Sequence, residues 1–109
     1  LTSSWDQRLW DTIAAVPPGR VASYGQIAAM AGLARGARRT AAALRNAPDE
    51  LALPWYRILR ADGRIAFEPG SAAFERQCAL LMAEGVELRA GRVDLGRYRW
   101  RGNDSPLLD

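Results

Sequence analysis

Cys78 is the only cysteine in the chain, and there is no histidine. One thiol cannot close an intramolecular disulfide, and a Cys/His zinc site is excluded on composition. The commonest general base near neutral pH is also missing. Any catalysis would have to use Cys78, a carboxylate, a tyrosine or a serine. Cys78 falls at helical spacing among Phe74, Leu81 and Met82, so it reads as a small core residue rather than a nucleophile. The other chemically marked feature is charge. All fifteen basic residues are arginine. Residues 35–64 carry arginine at 35, 38, 39, 45, 57, 60 and 64 against Asp49, Glu50 and Asp62, a local charge of +4. The remainder is close to neutral. Arginine binds phosphate and can also enter a base stack, so this segment points to nucleic acid; a solvated basic surface is the plainer alternative.

The elements that would position these residues follow from periodicity and punctuation. At 109 residues and 49% hydrophobic, the chain is expected to be one globular domain, residues 1–109, with 103–109 as a flexible tail. It shows no spanning run and nothing like a signal peptide, so a soluble cytoplasmic, nucleoid-associated monomer is expected. Ser4 and Gln7 have capping-box spacing and open a helix whose buried face would be Trp5, Leu9, Ile13 and Val16. Pro17-Pro18-Gly19 stops it. Trp10 and Trp100 also read as core. Ser23 and Gln26 repeat the capping spacing at a second helix that ends near Ala31, with Gly32 behind it. A third runs from about Ala37 to Asn46. Two short helices about a glycine-containing turn predict a helix-turn-helix. Ile58-Leu59 and Arg64-Ile65-Ala66 flank Asp62-Gly63 and predict a hairpin, the wing. Ser71 caps a last helix ending at Gly85. The fold class expected is mainly α with a small β wing.

Pro54-Trp55-Tyr56-Arg57 makes the reading specific. It resembles the Pro-Cys-His-Arg segment of the O6-alkylguanine-DNA alkyltransferases, in their C-terminal domain. Five further markers occur in the family's order. They are Val16-Pro17-Pro18-Gly19-Arg20-Val21, Ser23-Tyr24-Gly25-Gln26-Ile27-Ala28, Ala37-Arg38, Asp62-Gly63 and Glu84-Gly85-Val86. The likeness spans Trp5 to Trp100. In that family the cysteine accepts the alkyl group, activated by the histidine through water and by a glutamate behind it. Here Trp55 and Tyr56 stand at the cysteine and histidine positions. Counting back from Gly85 puts Cys78 at the glutamate position, so all three relay groups are expected to be missing. A tryptophan there is the mark of the alkyltransferase-like proteins. These resemble the transferases in fold and DNA contacts but bind the lesion without repairing it, and they usually keep the histidine.

The resemblance implies residue roles. Arg38 would be the finger that fills the gap left by a flipped nucleotide. Tyr24 would press on the 3′ phosphate; its place beside the cap Ser23 also puts it near outward-facing backbone N–H groups. Ala37, Thr40, Ala41, Arg45 and Asn46 would lie against DNA, in the minor groove, whose degenerate code predicts weak sequence preference. Trp55 would line the lesion pocket, with Tyr24, Pro54, Tyr56, Phe67, Glu68 and Ser71 around it. Pro54 and Arg57 would brace the loop. The expected function is non-enzymatic recognition of O6-alkylguanine in duplex DNA, marking it for nucleotide excision repair proteins. No metal and no cofactor are expected. Two alternatives remain at the level of sequence: a generic winged-helix regulator, and a residual alkyltransferase using Cys78.

Overall fold

Half of the second capping box forms: Ser23 caps the helix, while the Gln26 side chain turns to the Trp100 carbonyl at 2.5 Å instead of back to Ser23. In a computed structural model of the chain, which describes residues 4–102, the Ser23 hydroxyl accepts a 3.0 Å hydrogen bond from the Gln26 N–H. This starts α2 (Tyr24–Met30), directly after β1 (Ala22–Ser23). α1 (Ser4–Ala14) precedes them, and α3 (Ala37–Asn46) follows a turn in which Gly32 takes φ +97°, where a side chain would be strained. The three helices share a core of Leu9, Trp10, Ile13, Val16, Ile27, Ala28, Ala31 and Ala43. Trp10 joins this core more fully than the 4, 4, 3 stripe implied, whereas Trp5 is only half-buried. The Trp10 indole N–H donates 2.7 Å to the Ala43 carbonyl, a buried bond that sets α3 against α1.

β1 divides two cores. Ala22 and Ile58 belong to the helical one; Val21 and Leu59 face a second core with Ile65, Leu81, Val86, Val93 and Tyr98. That split is the alternation of a strand. β1 pairs in parallel with β2 (Ile58–Leu59), Ala22 opposite Ile58 and Ser23 opposite Leu59. On its other side Val21 exchanges bonds with the 98–100 segment: its N–H donates 2.9 Å to Tyr98 O, and its carbonyl accepts 2.7 Å from Trp100 N. α4 (Ala72–Ala83), the hairpin of β3 (Leu88–Arg89) and β4 (Arg92–Val93), and the short α5 (Leu95–Tyr98) enclose the second core.

The mainly helical class with a small β component is thus observed, but the wing differs from expectation. Ile58-Leu59 does not form a ladder with Arg64-Ile65-Ala66. It is taken by β1 instead, and Ile65 N bonds Gly91 O at 3.1 Å, next to the 88–93 hairpin. Only the turn survives, closed by Arg60 N to Arg64 O at 2.9 Å. The reason is tertiary: Ile58 and Leu59 each bury fully against a different core, which a free-standing hairpin could not offer. The face of α4 also differs. Met82 is 64% exposed and Gln77 is buried in its place. The expected frayed residues 1–3 and flexible 103–109 lie outside the described residues.

Gly63 holds the 60–64 turn at φ +88°, and a Cβ there would lie 2.3 Å from the Val93 carbonyl oxygen. Gly63→Ala should therefore cost about 2–3 kcal/mol or more from strain and overlap. Urea unfolding followed by circular dichroism measures it. A loss under about 0.5 kcal/mol would mean that the turn does not need this approach.

Candidate nucleic-acid interface

α2, α3 and the 55–67 segment enclose an open groove of about 710 Å³. Helical spacing brings Ala37, Arg38, Ala41, Leu44 and Arg45 of α3 to one wall, with Tyr24 and Gly25 from the start of α2. Trp55, Arg60, Ala61, Ala66 and Phe67 form the other side. The lining therefore holds three arginines, and no carboxylate among the described residues. The indole of Trp55 meets Phe67 edge-on, with centroids 6.2 Å apart at 82°, and Tyr56 at 5.7 Å and 90°. Both rings still contribute apolar surface to the groove lining. Burial pushes the Tyr24 hydroxyl above its ordinary pKa, while Arg45 and Arg60 pull it down. The net shift is upward, so at neutral pH the phenol remains a hydrogen-bond donor.

Seven of the residues singled out in the sequence meet in this groove: Tyr24, Ala37, Arg38, Ala41, Arg45, Trp55 and Phe67. Others do not. Thr40 is fully buried, its hydroxyl donating 3.2 Å to the Gly36 carbonyl one turn back, so it faces the core and not a ligand. Position 40 lies three residues from Ala37 and Ala43, on the α3 stripe that packs inward at Ala43. Asn46 is exposed at the end of α3, beyond the groove lining. Pro54 caps the turn Trp55–Arg57 and shapes it from behind. Glu68 is exposed outside the lining, and its carbonyl accepts from Ser71 N at 3.0 Å. Ser71 uses its hydroxyl to cap α4, accepting from Phe74 N at 3.2 Å. Gly25, Leu44, Arg60, Ala61 and Ala66 were missed. Arg60 had a signal as part of the basic segment and Gly25 as part of a family marker; Leu44, Ala61 and Ala66 carried none that pointed to a site.

Tyr56 turns away from the groove, and what lies behind it corrects the residue count. Its hydroxyl donates 3.0 Å to Glu84. Glu84, not Cys78, stands behind position 56, so the carboxylate of the relay is retained. Cys78 packs beside the second core, where burial, then the Glu75 carboxylate, pushes its thiol above the ordinary range. A smaller thiolate fraction makes it a poorer nucleophile. Glu84 also accepts from Gly19 N at 3.0 Å and from Arg57 Nε at 3.0 and 3.1 Å. Arg57 extends to the Val16 carbonyl at 2.8 Å, which makes it the brace that the sequence suggested. Gln77 donates to the carbonyls of Tyr56 at 2.9 Å and Ile58 at 3.1 Å. The Trp55–Arg57 turn is thereby held at its middle and at the residue that follows it. Burial alone would raise the Glu84 carboxyl; the bonds from Arg57, Gly19 and Tyr56 outweigh it and hold the group below the usual range.

Residues 4–86 match the sequence model of the 6-O-methylguanine DNA methyltransferase DNA-binding domain. The chain belongs to that family. Within it, the chain is 40% identical over 98 residues to the DNA base-flipping protein of Escherichia coli K12, covering 89% of this chain and 74% of the relative. It is 33% identical over 92 residues to alkyltransferase-like protein 1 of Schizosaccharomyces pombe, covering 84% and 83%. The S. pombe Atl1 structure in complex with damaged DNA containing O6-carboxymethylguanine superposes with a TM-score of 0.81 at 28% identity, over 93% of this chain and 98% of that one. The Mycobacterium tuberculosis OGT complex with DNA gives 0.65 at 29% identity, over 78% and 51%. The fold is that of Atl1. Family membership and the alkyltransferase-like pattern agree with the sequence.

The Glu84 cluster carries a pH signature. Its folded pKa lies below its unfolded value, so the stability it contributes is present above the ordinary carboxylate range. That contribution is lost as pH falls through the folded value. Glu84→Gln should cost about 2–4 kcal/mol near pH 7, because Arg57 loses its partner. It should also flatten the acid side of the stability profile. Urea unfolding from pH 7 to 2 reads both, and an equally steep acid limb in the variant would place the titrating group elsewhere.

Proposed function

We propose that this protein recognises alkylated guanine in duplex DNA and does not repair it. The observation that carries the reading is the groove. Arg38, Tyr24 and an apolar indole converge there, and the indole stands where the family's alkyl acceptor would be. A flipped purine could lie against Trp55 and Phe67, with its O6 substituent on the indole. Flipping costs a few kcal/mol in lost stacking and pairing. Arg38, entering the vacated space, offsets part of that cost; a guanidinium is planar and permanently charged. Tyr24, a protonated donor, meets the backbone phosphate. Ala37 and Ala41 let α3 approach closely, which suits a minor-groove approach. The names of the E. coli and S. pombe relatives, and the damaged DNA in the Atl1 complex, support the same reading.

No alkyl transfer is part of this proposal. Carbon–oxygen cleavage at an O6-alkyl group needs a nucleophile in line with the alkyl carbon, and an indole does not supply one. Glu84 and Tyr56 are held to each other and to Arg57, so the retained carboxylate serves as an anchor. A protein that holds a lesion without altering it must pass it on, and nucleotide excision repair is the route proposed. The protein acts as a cytoplasmic, nucleoid-associated monomer in this reading.

A competition titration of a duplex carrying O6-methylguanine against the same duplex with guanine, at near-physiological salt, tests recognition. The expected preference is tenfold or more, about 1.4 kcal/mol. Arg38→Ala should abolish most of that preference, and intact-protein mass should not change after incubation. Equal affinities would favour a general DNA-binding module. A gain of one methyl mass would return the protein to the enzymes.

A further inference from the structure

Arg60 stands on the groove wall opposite α3, and nothing in the alkyltransferase motif assigns it a role. It follows β2, where its backbone is pinned on both sides. Its N–H donates 2.9 Å to Arg64 O, and its carbonyl accepts 2.9 Å from Gly63 N. The side chain is exposed and has no hydrogen bond or ion pair among the described residues; the Asp62 carboxylate feels its charge, but Asp62 lies outside the groove lining and pairs with Arg64. Its neighbours differ. Arg57 is bound to Glu84, Arg64 pairs with Asp62, Arg92 bonds the Asp62 carbonyl, and Arg97 pairs with Glu87. Arg45, on the facing wall, likewise has no ion pair among the described residues. Both charges act on the Tyr24 hydroxyl between them.

Like charges held on opposite walls, with no carboxylate in the lining, disfavour the empty groove and favour an anion between them. In a groove that takes a nucleotide, the available anion is a phosphodiester. Arg60 is exposed where Trp55 is half-buried, so it serves the rim, where the backbone would run, rather than the floor, where a base would lie. We propose that Arg60 is a DNA-positioning residue that, with Arg45 across the groove, clamps the phosphodiester of the flipped nucleotide beside Tyr24. This rests on the reading of the groove as a nucleotide-flipping site.

The test is the salt dependence of binding to lesion and undamaged duplexes, between about 50 and 250 mM salt, for the parent and for Arg60→Gln, Arg60→Lys and Arg64→Gln. Each phosphate contact contributes about 0.9 to the slope of log K against log salt. Arg60→Gln should weaken lesion binding on the order of tenfold and lower that slope by about 0.9. Arg60→Lys should restore the slope, and Arg64→Gln, outside the groove, should leave it unchanged. An unchanged slope with loss of lesion preference in Arg60→Gln would make Arg60 a reader of the base and overturn the clamp. An equal slope loss in Arg64→Gln would overturn it too, by reducing the effect to net charge. A parent with no lesion preference would sink the proposed function separately. The slope comparison on the undamaged duplex would still decide whether Arg60 touches phosphate. Unfolding midpoints within about 2 °C of the parent confirm that the variants are folded, as expected for a side chain without intramolecular partners.

Discussion

Glu84 sits where three parts of the chain must meet, and its carboxylate joins them. Through Gly19 N it fixes the turn that follows α1; through Tyr56 and Arg57 it fixes the segment that carries Trp55. Arg57 returns to the first of these parts by way of Val16 O. The bonds are charge-assisted and partly shielded from water, where each is stronger than a neutral one. Without this cluster the Trp55 turn would keep its local backbone bonds, the pairing of β2 with β1 and the bonds from Gln77, but lose its tie to the turn that follows α1. With it, the indole is presented to the groove from a rigid base, as a binding site requires.

The same arrangement is first a matter of position. A carboxylate stands behind a hydrogen-bonding side chain, Glu84 behind Tyr56. Tyr56 donates to Glu84 and stays protonated, since burial and the neighbouring carboxylate raise its pKa. It has no thiol to activate. What remains is the positional effect: an ion pair tying strand, turn and helix C-terminus together. The surface beyond it is apolar at Trp55 and Phe67 and cationic at the rim.

Local order in the sequence was enough for the helices. Ser23 and Ser71 each cap a helix as spacing implied, and α3 runs from Ala37 to Asn46 as read. These features depend on residues three or four apart. Within α3 the resemblance set Arg38, Ala37, Thr40, Ala41 and Arg45 toward one ligand, and all of these but Thr40 line one groove. It failed for Thr40, because an alanine-rich helix gives little contrast between its faces, and packing under α1 and α2 chose which stripe is buried. The Pro54-to-Arg57 motif identified the loop and brought Trp55 to attention.

Long-range partners were a different matter. Whether Ile58-Leu59 would pair with the next segment or with residues 22–23 turned on which surface could bury both side chains, and a two-residue strand carries no record of that. The count from Gly85 chose Cys78 over Glu84, because sequence distance cannot say which side chain lies 3.0 Å from a phenol. Arg60 was one of seven arginines until the fold set it in a groove lining that holds Arg45 and no carboxylate among the described residues. By itself the sequence determined the family and the capped helices, since those depend on residue identity and short spacing. Only the tertiary structure decided the strand partners, the anchor behind Trp55 and the charges around the groove, because each depends on groups that the chain brings together from far apart.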